Sequence, residues 1–186
     1  FHFTPLTDQL IITDGYFDSE NLAFWDAVRG EYRAYFRDFY QGLPGSGIRG
    51  IKTATSDDFI HWTKGEWLKY PGTQDVHLYT NQVAPYARAP HIFLGFPTRY
   101  IDRGWVHSTA QLPGLEERRA RTNASPRYGS VVTDGLLMTS RDGRTFKRWD
   151  EAIIRPGPSR RDSWTYCDNL ISWGMLPTKS NLPESP

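Results

Sequence analysis

Short runs of alternating apolar and polar residues follow one another along this chain, and the same order of runs occurs twice. Leu22-Ala-Phe-Trp25, Glu31 to Arg37, Ile48 to Ala54 and Gly65 to Tyr70 read as four strands, separated by Arg29-Gly30 and by the loop Gln41 to Gly47. A second set reads Gln82 to Tyr86, His91 to Phe96, Gly135 to Thr139 and Glu151 to Arg155. The last strand of each set runs into Pro-Gly, at Pro71-Gly72 and at Pro156-Gly157. Leu10-Ile-Ile-Thr13, ending in Asp14-Gly15, has the look of a last strand whose beginning is missing. Trp164 to Trp173 looks like a third opening. The pattern divides the chain into the end of one unit (1–16), two whole units (17–73 and 74–158) and the start of another (159–186). The second unit carries a long insertion at 98–132, within which Leu115 to Arg121 is expected to form a short helix.

The third strand of each set ends in a polar turn. The two turns are Ala54-Thr55-Ser56-Asp57-Asp58-Phe59-Ile60-His61-Trp62 and Met138-Thr139-Ser140-Arg141-Asp142-Gly143-Arg144-Thr145-Phe146-Lys147-Arg148-Trp149. Ser and Asp side chains bond backbone groups two residues on and fix tight turns, and a Trp beyond the turn has the area to wedge between neighbouring sheets. With Asp57 and Asp142 as turn carboxylates and Trp62 and Trp149 as wedges, the spacings are 5 and 7 residues. The second turn is therefore expected to be longer, as a wider hairpin around Gly143. Radial repetition of four-stranded units with a Trp wedge suits a β-propeller, which needs at least about four blades to close. A fragment, or a chain completed by partners, is the expectation; a twisted antiparallel sandwich is the plainer alternative.

Composition agrees with an all-β chain. Aromatic residues make up 15% of it, with 16 Gly and 13 Pro to make turns. A net charge of +1 implies no nucleic-acid partner. The single cysteine, Cys167, excludes an internal disulfide and a cysteine-based zinc cluster. No apolar run approaches the roughly 20 residues of a membrane-spanning helix. The five histidines show no ligand spacing, so no metal and no cofactor is expected. Gly42 to Gly47 has no Lys before a helix and reads as a hairpin loop, not a phosphate cradle.

Ala54 to Trp62 resembles the blade turn of the five-bladed β-propeller glycoside hydrolases, the arabinanase/xylosidase and invertase/levanase group. Phe17-Asp18-Ser19-Glu20-Asn21 resembles the acidic lead-in of their blades. Leu78 to Asn81, Gly95 to Arg103 and Asp134 to Ser140 look like a bacterial branch of that group. The likeness runs over the whole chain. The invertase-type Trp-x-Asn-Asp-Pro-Asn and Arg-Asp-Pro motifs do not occur in it. The resemblance implies a five-bladed propeller, of which this chain is a part, and cleavage of a glycosidic bond in a poly- or oligosaccharide. A non-catalytic carbohydrate-binding propeller is the alternative. Because polysaccharides lie outside the cell, the resemblance implies a secreted or periplasmic location, which the residues themselves do not read out.

In a propeller the residues before each first strand gather at one mouth of the axis. Glycoside hydrolysis needs two carboxylates there, an acid for the leaving oxygen and a base or nucleophile. By its match to the family's blade lead-in, Asp18 is the first candidate for base or nucleophile; Asp168 is the second carboxylate and Glu20 the acid. Asp18 can equally be a turn residue, and Asp168 a capping one. Asn21, Asn81 and Asn169 recur at corresponding places and can bond sugar hydroxyls or a neighbouring blade's backbone. His77, Tyr79 and Trp164 stand beside the same mouth, the two aromatics as stacking faces or as packing. Arg99, Asp102 and Arg103 suit polar sugar recognition, or an Arg-Asp pair that pins the insertion. Arg118, Arg119 and Arg121 read as a solvated helix face.

Overall fold

The computed structural model describes residues 2–179. They form ten strands and three short helices in two antiparallel sheets. β1 (Leu22–Asp26), β2 (Glu31–Tyr40), β3 (Ile48–Ser56) and β4 (Glu66–Trp67) pair in chain order as a four-stranded meander. β5 (His77–Leu78), β6 (Ala84–Tyr86), β7 (Ala89–Gly95), β8 (Thr98–Ile101), β9 (Val132–Ser140) and β10 (Lys147–Ile154) make the second sheet. It too is a meander of four paths. β7 and β8 are one path that breaks at Phe96-Pro97, where proline has no N–H to give the ladder. Both halves pair with β9, through Phe93 to Ser140 and through Thr98 to Gly135. β6 and β5 flank them on the outer side, and β10 pairs with β9 on the other. Strands lie at each of the runs expected in the two sets, in antiparallel sheets. Among the described residues the two sheets do not close a ring, and no helix is long and apolar enough to cross a membrane.

The core lies between the sheets. Tyr35 and Ile51 of the first sheet meet Leu78, Val83, Phe93, Leu136, Met138 and Phe146 of the second. Hydrogen bonds stitch the same seam. The Tyr35 hydroxyl donates to the Gly143 carbonyl at 2.9 Å, Lys69 N–H to Arg144 O at 2.9 Å, and Phe146 N–H to Lys69 O at 2.9 Å. Ala34, Phe36 and Ala54 face the other way and pack under Ile12 and Trp62. β2 is thus buried on both faces over its middle, which its sequence of adjacent aromatics and alanine permits. Leu10 to Thr13 lies outside any strand, and so does Asn169 to Trp173; the expected partial blades form no ladder among the described residues.

The two turns are the same structure. Ser56 Oγ bonds Asp58 Oδ1 and accepts the N–H of Asp58 and Phe59, while Asp58 Oδ1 accepts the N–H of Ile60 and His61. Ser140 and Asp142 repeat every one of these bonds with Gly143, Arg144 and Thr145. Phe59 and Gly143 occupy the same left-handed position, at φ +67° and +73°. The turn carboxylate is therefore Asp58, not Asp57, and the second turn has not grown. The wedge equivalent to Trp62 is Phe146, fully buried, whereas Trp149 is exposed. Trp62 packs with Ile12 onto Ala34, Phe36 and Ala54, and Phe146 packs against Tyr35 of the first sheet.

The insertion begins with β8 and continues as α1 (His107–Ala110), α2 (Leu115–Ala124) and α3 (Pro126–Ser130). α2 starts at Gly114, in the left-handed region at φ +72°, and carries Glu116 and Glu117 in its first turn, where the helix dipole favours them. Arg118 is not on a solvated face. It is fully buried and donates to the carbonyls of Pro113 at 2.9 Å and Trp164 at 2.8 Å, and to those of Arg160 and Ser163.

Candidate functional site

A grouping of chemistry-bearing side chains lies where the β2–β3 end of the first sheet meets β5, β8 and the helical insertion. It is a cleft of about 480 Å³. β2 supplies Arg37 and Phe39, β3 supplies Arg49, and the loop between them supplies Pro44, Gly45 and Gly47. β5 and the residues after it supply His77 and Tyr79; β8 and its exit supply Tyr100 and Asp102. The lead-in to β1 adds Tyr16 and Asp18, and the α2–α3 junction adds Arg127. Strand register explains part of the convergence. Phe39 pairs with Arg49, and His77 with Tyr100, so residues of adjacent strands stand side by side.

Asp18 forms an ion pair with Arg37, whose side chain is 3% exposed. Burial, and then the neighbouring Arg49 charge, pull the Arg37 guanidinium below its ordinary pKa. The Arg49 guanidinium lies 4.3 Å from the centre of the Tyr100 ring and within 5.6 Å of those of Phe39 and Tyr79. His77 Nδ1 accepts the Arg49 backbone N–H at 3.2 Å. Burial and the Arg49 charge push the His77 imidazole below its usual pKa, so His77 is neutral and its other ring nitrogen carries the proton. The Tyr79 and Tyr166 hydroxyls share a hydrogen bond of 2.8 Å. Asp102 Oδ1 accepts Gly104 N–H at 3.0 Å, and Asp102 has no cationic partner among the described residues.

Of the residues expected from the sequence, the structure gathers Asp18, His77, Tyr79 and Asp102 in this cleft. Glu20 is exposed and does not line it; its backbone carbonyl accepts the Asn81 amide at 3.2 Å. Asp168 also lies outside. Its carboxylate accepts Thr165 N–H at 3.2 Å, the Thr133 hydroxyl at 3.4 Å and the Asn169 amide at 3.0 Å, which makes it a capping residue. The three repeated asparagines all serve backbone. Asn21 donates to Phe17 O and Ser19 O and accepts Arg37 N–H; buried Asn81 donates also to Tyr35 O; Asn169 donates to Thr133 O. Arg99 does not pair with Asp102. It forms a two-pronged bond to Asp134, at 2.9 and 2.6 Å, and lines a separate cleft of about 590 Å³ with Arg103 and Trp164. The Trp164 indole donates to Gly157 O at 2.9 Å.

Sequence reasoning missed Arg37, Arg49 and Arg127, and with them Tyr100. One signal was present: Tyr32-Arg-Ala-Tyr-Phe-Arg37 places arginines inside an aromatic strand, where a charge is buried only at a cost and must be paired or functional. Among the described residues no three His, Cys, Asp or Glu side chains are grouped as a metal ion requires.

No family model matches the chain, and no curated protein matches it. Among solved structures, the crystal structure of an N-acetylgalactosamine deacetylase from F. plautii, in complex with blood group B trisaccharide, resembles it with a TM-score of 0.51 at 14% identity. The likeness covers 80% of this chain but 34% of that one. It is a likeness of fold, and this chain spans about a third of the neighbour's length.

Proposed function

We propose that the protein is carbohydrate-active, that its saccharide site is the cleft around Asp18 and Asp102, and that the chemistry is hydrolysis of a glycosidic bond. The observation that carries this reading is two carboxylates in one cleft walled by Tyr16, Phe39, Tyr79 and Tyr100. Aromatic faces suit sugar rings, and paired carboxylates suit glycosidic cleavage. Asp18, paired with Arg37, serves as base or nucleophile. Asp102, which has no cationic partner among the described residues, is assigned the acid role. Neutral His77 and the Tyr79 hydroxyl position the sugar. The two sheets are then consecutive blades of a five-bladed propeller, a reading supported by their matching meanders, matching Ser-Asp turns and matching wedges. The fold neighbour, itself crystallised with a trisaccharide, adds weight to a saccharide ligand, although fold alone does not set function.

The test is sugar release from a panel of poly- and oligosaccharides by the full-length protein. Asp18→Asn and Asp102→Asn should each lower the rate by roughly 10²–10⁴-fold. Turnover unchanged in both variants rejects the assignment. One observation favours the second reading, a carbohydrate-binding protein without turnover: Arg37 already neutralises Asp18. Saturable glycan binding with no release by the unaltered protein selects that reading.

A further inference from the structure

The cleft holds more positive charge than its own carboxylates balance. Arg37, Arg49 and Arg127 line it, against Asp18 and Asp102. Arg37 is paired with Asp18. Arg49 and Arg127 have no carboxylate oxygen within 4.0 Å among the described residues. Polar atoms are left over as well. Arg37 Nε and Arg49 Nε are buried without a hydrogen-bond partner, and Arg37 is itself 97% buried. Such atoms cost free energy unless a ligand satisfies them.

The way the arginines are held matters. Arg49 stacks on Tyr100, and Arg127 lies 5.2 and 5.1 Å from the centres of Tyr128 and Tyr166. A guanidinium that rests on a ring face is fixed in plane, with its N–H edge free to form a paired bond to an anion. The like charge of Arg49 already disfavours the protonated form of Arg37, a repulsion that a bound anion would relieve. The aromatic walls and a volume of about 480 Å³ fit a ring-bearing ligand, not a bare ion.

We infer that the ligand is an acidic saccharide, whose ring carries a carboxylate or a sulfate group held by Arg49 and Arg127. This rests on the saccharide reading above and narrows it. The test is calorimetric titration of the full-length protein with methyl galacturonoside, its methyl ester, methyl galactoside, galactose 6-sulfate and inorganic phosphate. The uronate or the sulfated sugar should bind about 10- to 100-fold tighter than the ester and the neutral sugar, and whichever arm is tighter identifies the anionic group. Arg127→Met, at the rim of the cleft, should bring that ratio towards one with an unchanged melting curve, and Arg127→Lys should restore part of it. Equal affinities for acid and ester overturn the inference, as does a preference that survives both Arg49→Met and Arg127→Met, or phosphate binding as tightly as the acidic sugars. Neutral-sugar binding without preference overturns this inference alone; no binding by any sugar overturns the saccharide reading with it.

Discussion

Asp142 shows how one side chain holds a turn. Burial raises its pKa, but the N–H groups of Thr145 and Arg144 and the Ser140 hydroxyl outweigh that and set it at about 2. A carboxylate whose pKa is depressed in the fold stabilises the fold above its unfolded value of 3.8. That contribution should vanish as pH falls from about 4 through about 2. Asp142 is exposed, so screening reduces its worth to the order of 1 kcal/mol. Urea melts at pH 5 and pH 2 of the protein and of Asp142→Asn check this: the gap between them should close at the lower pH. Asn81 makes a complementary case. Its buried amide ties Glu20 O and Tyr35 O, from the first sheet and its lead-in, to the second sheet, and its Oδ1 accepts Val83 N–H. Asn81→Ala leaves those groups unpaired and should cost about 1–3 kcal/mol in denaturant unfolding.

At the scale of elements, the wedge is the instructive one. The sequence offered Trp149 as the partner of Trp62, because tryptophan is the larger residue and stands at the end of the run. Aligning the turns by their hydrogen bonds selects Phe146, four residues beyond Asp142 just as Trp62 is four beyond Asp58. Phe146→Ala should therefore cost about 3–5 kcal/mol in urea unfolding, and Trp149→Ala, half out of the fold, less than half as much. The same confusion hid Asp58: two adjacent aspartates cannot be ranked by composition, only by which one reaches the N–H groups. α2 was legible as a helix, but Arg118 was not legible as its anchor, since its partners beyond Pro113 are backbone carbonyls about 45 residues away. Arg118→Met should speed amide exchange across residues 160–164 without loosening β2 or β3, as mass spectrometry would show.

For the molecule as a whole, the strands of the two sets were readable because they are written in local patterns: alternation, Pro-Gly stops and Ser-Asp turns. The cleft was readable only in part. Asp18, His77, Tyr79 and Asp102 stand near strand starts and ends, where a sequence reading looks for chemistry. Glu20 and Asp168 stand in equivalent places, yet one faces solvent and the other caps a turn, a choice made by side-chain direction and not by sequence position. Arg37 and Arg49 came from strands, where pattern alone assigns side chains to packing, and Arg127 from a short helix of the insertion. The central claim is that the cleft between the sheets is the saccharide site. It is tested most directly by mapping backbone and side-chain NMR shifts as an oligosaccharide is titrated into the full-length protein. The account predicts perturbations centred on Arg37, Arg49, His77, Tyr79 and Tyr100. Perturbations centred instead on Arg99, Asp134 and Trp164, or none at all, would contradict it.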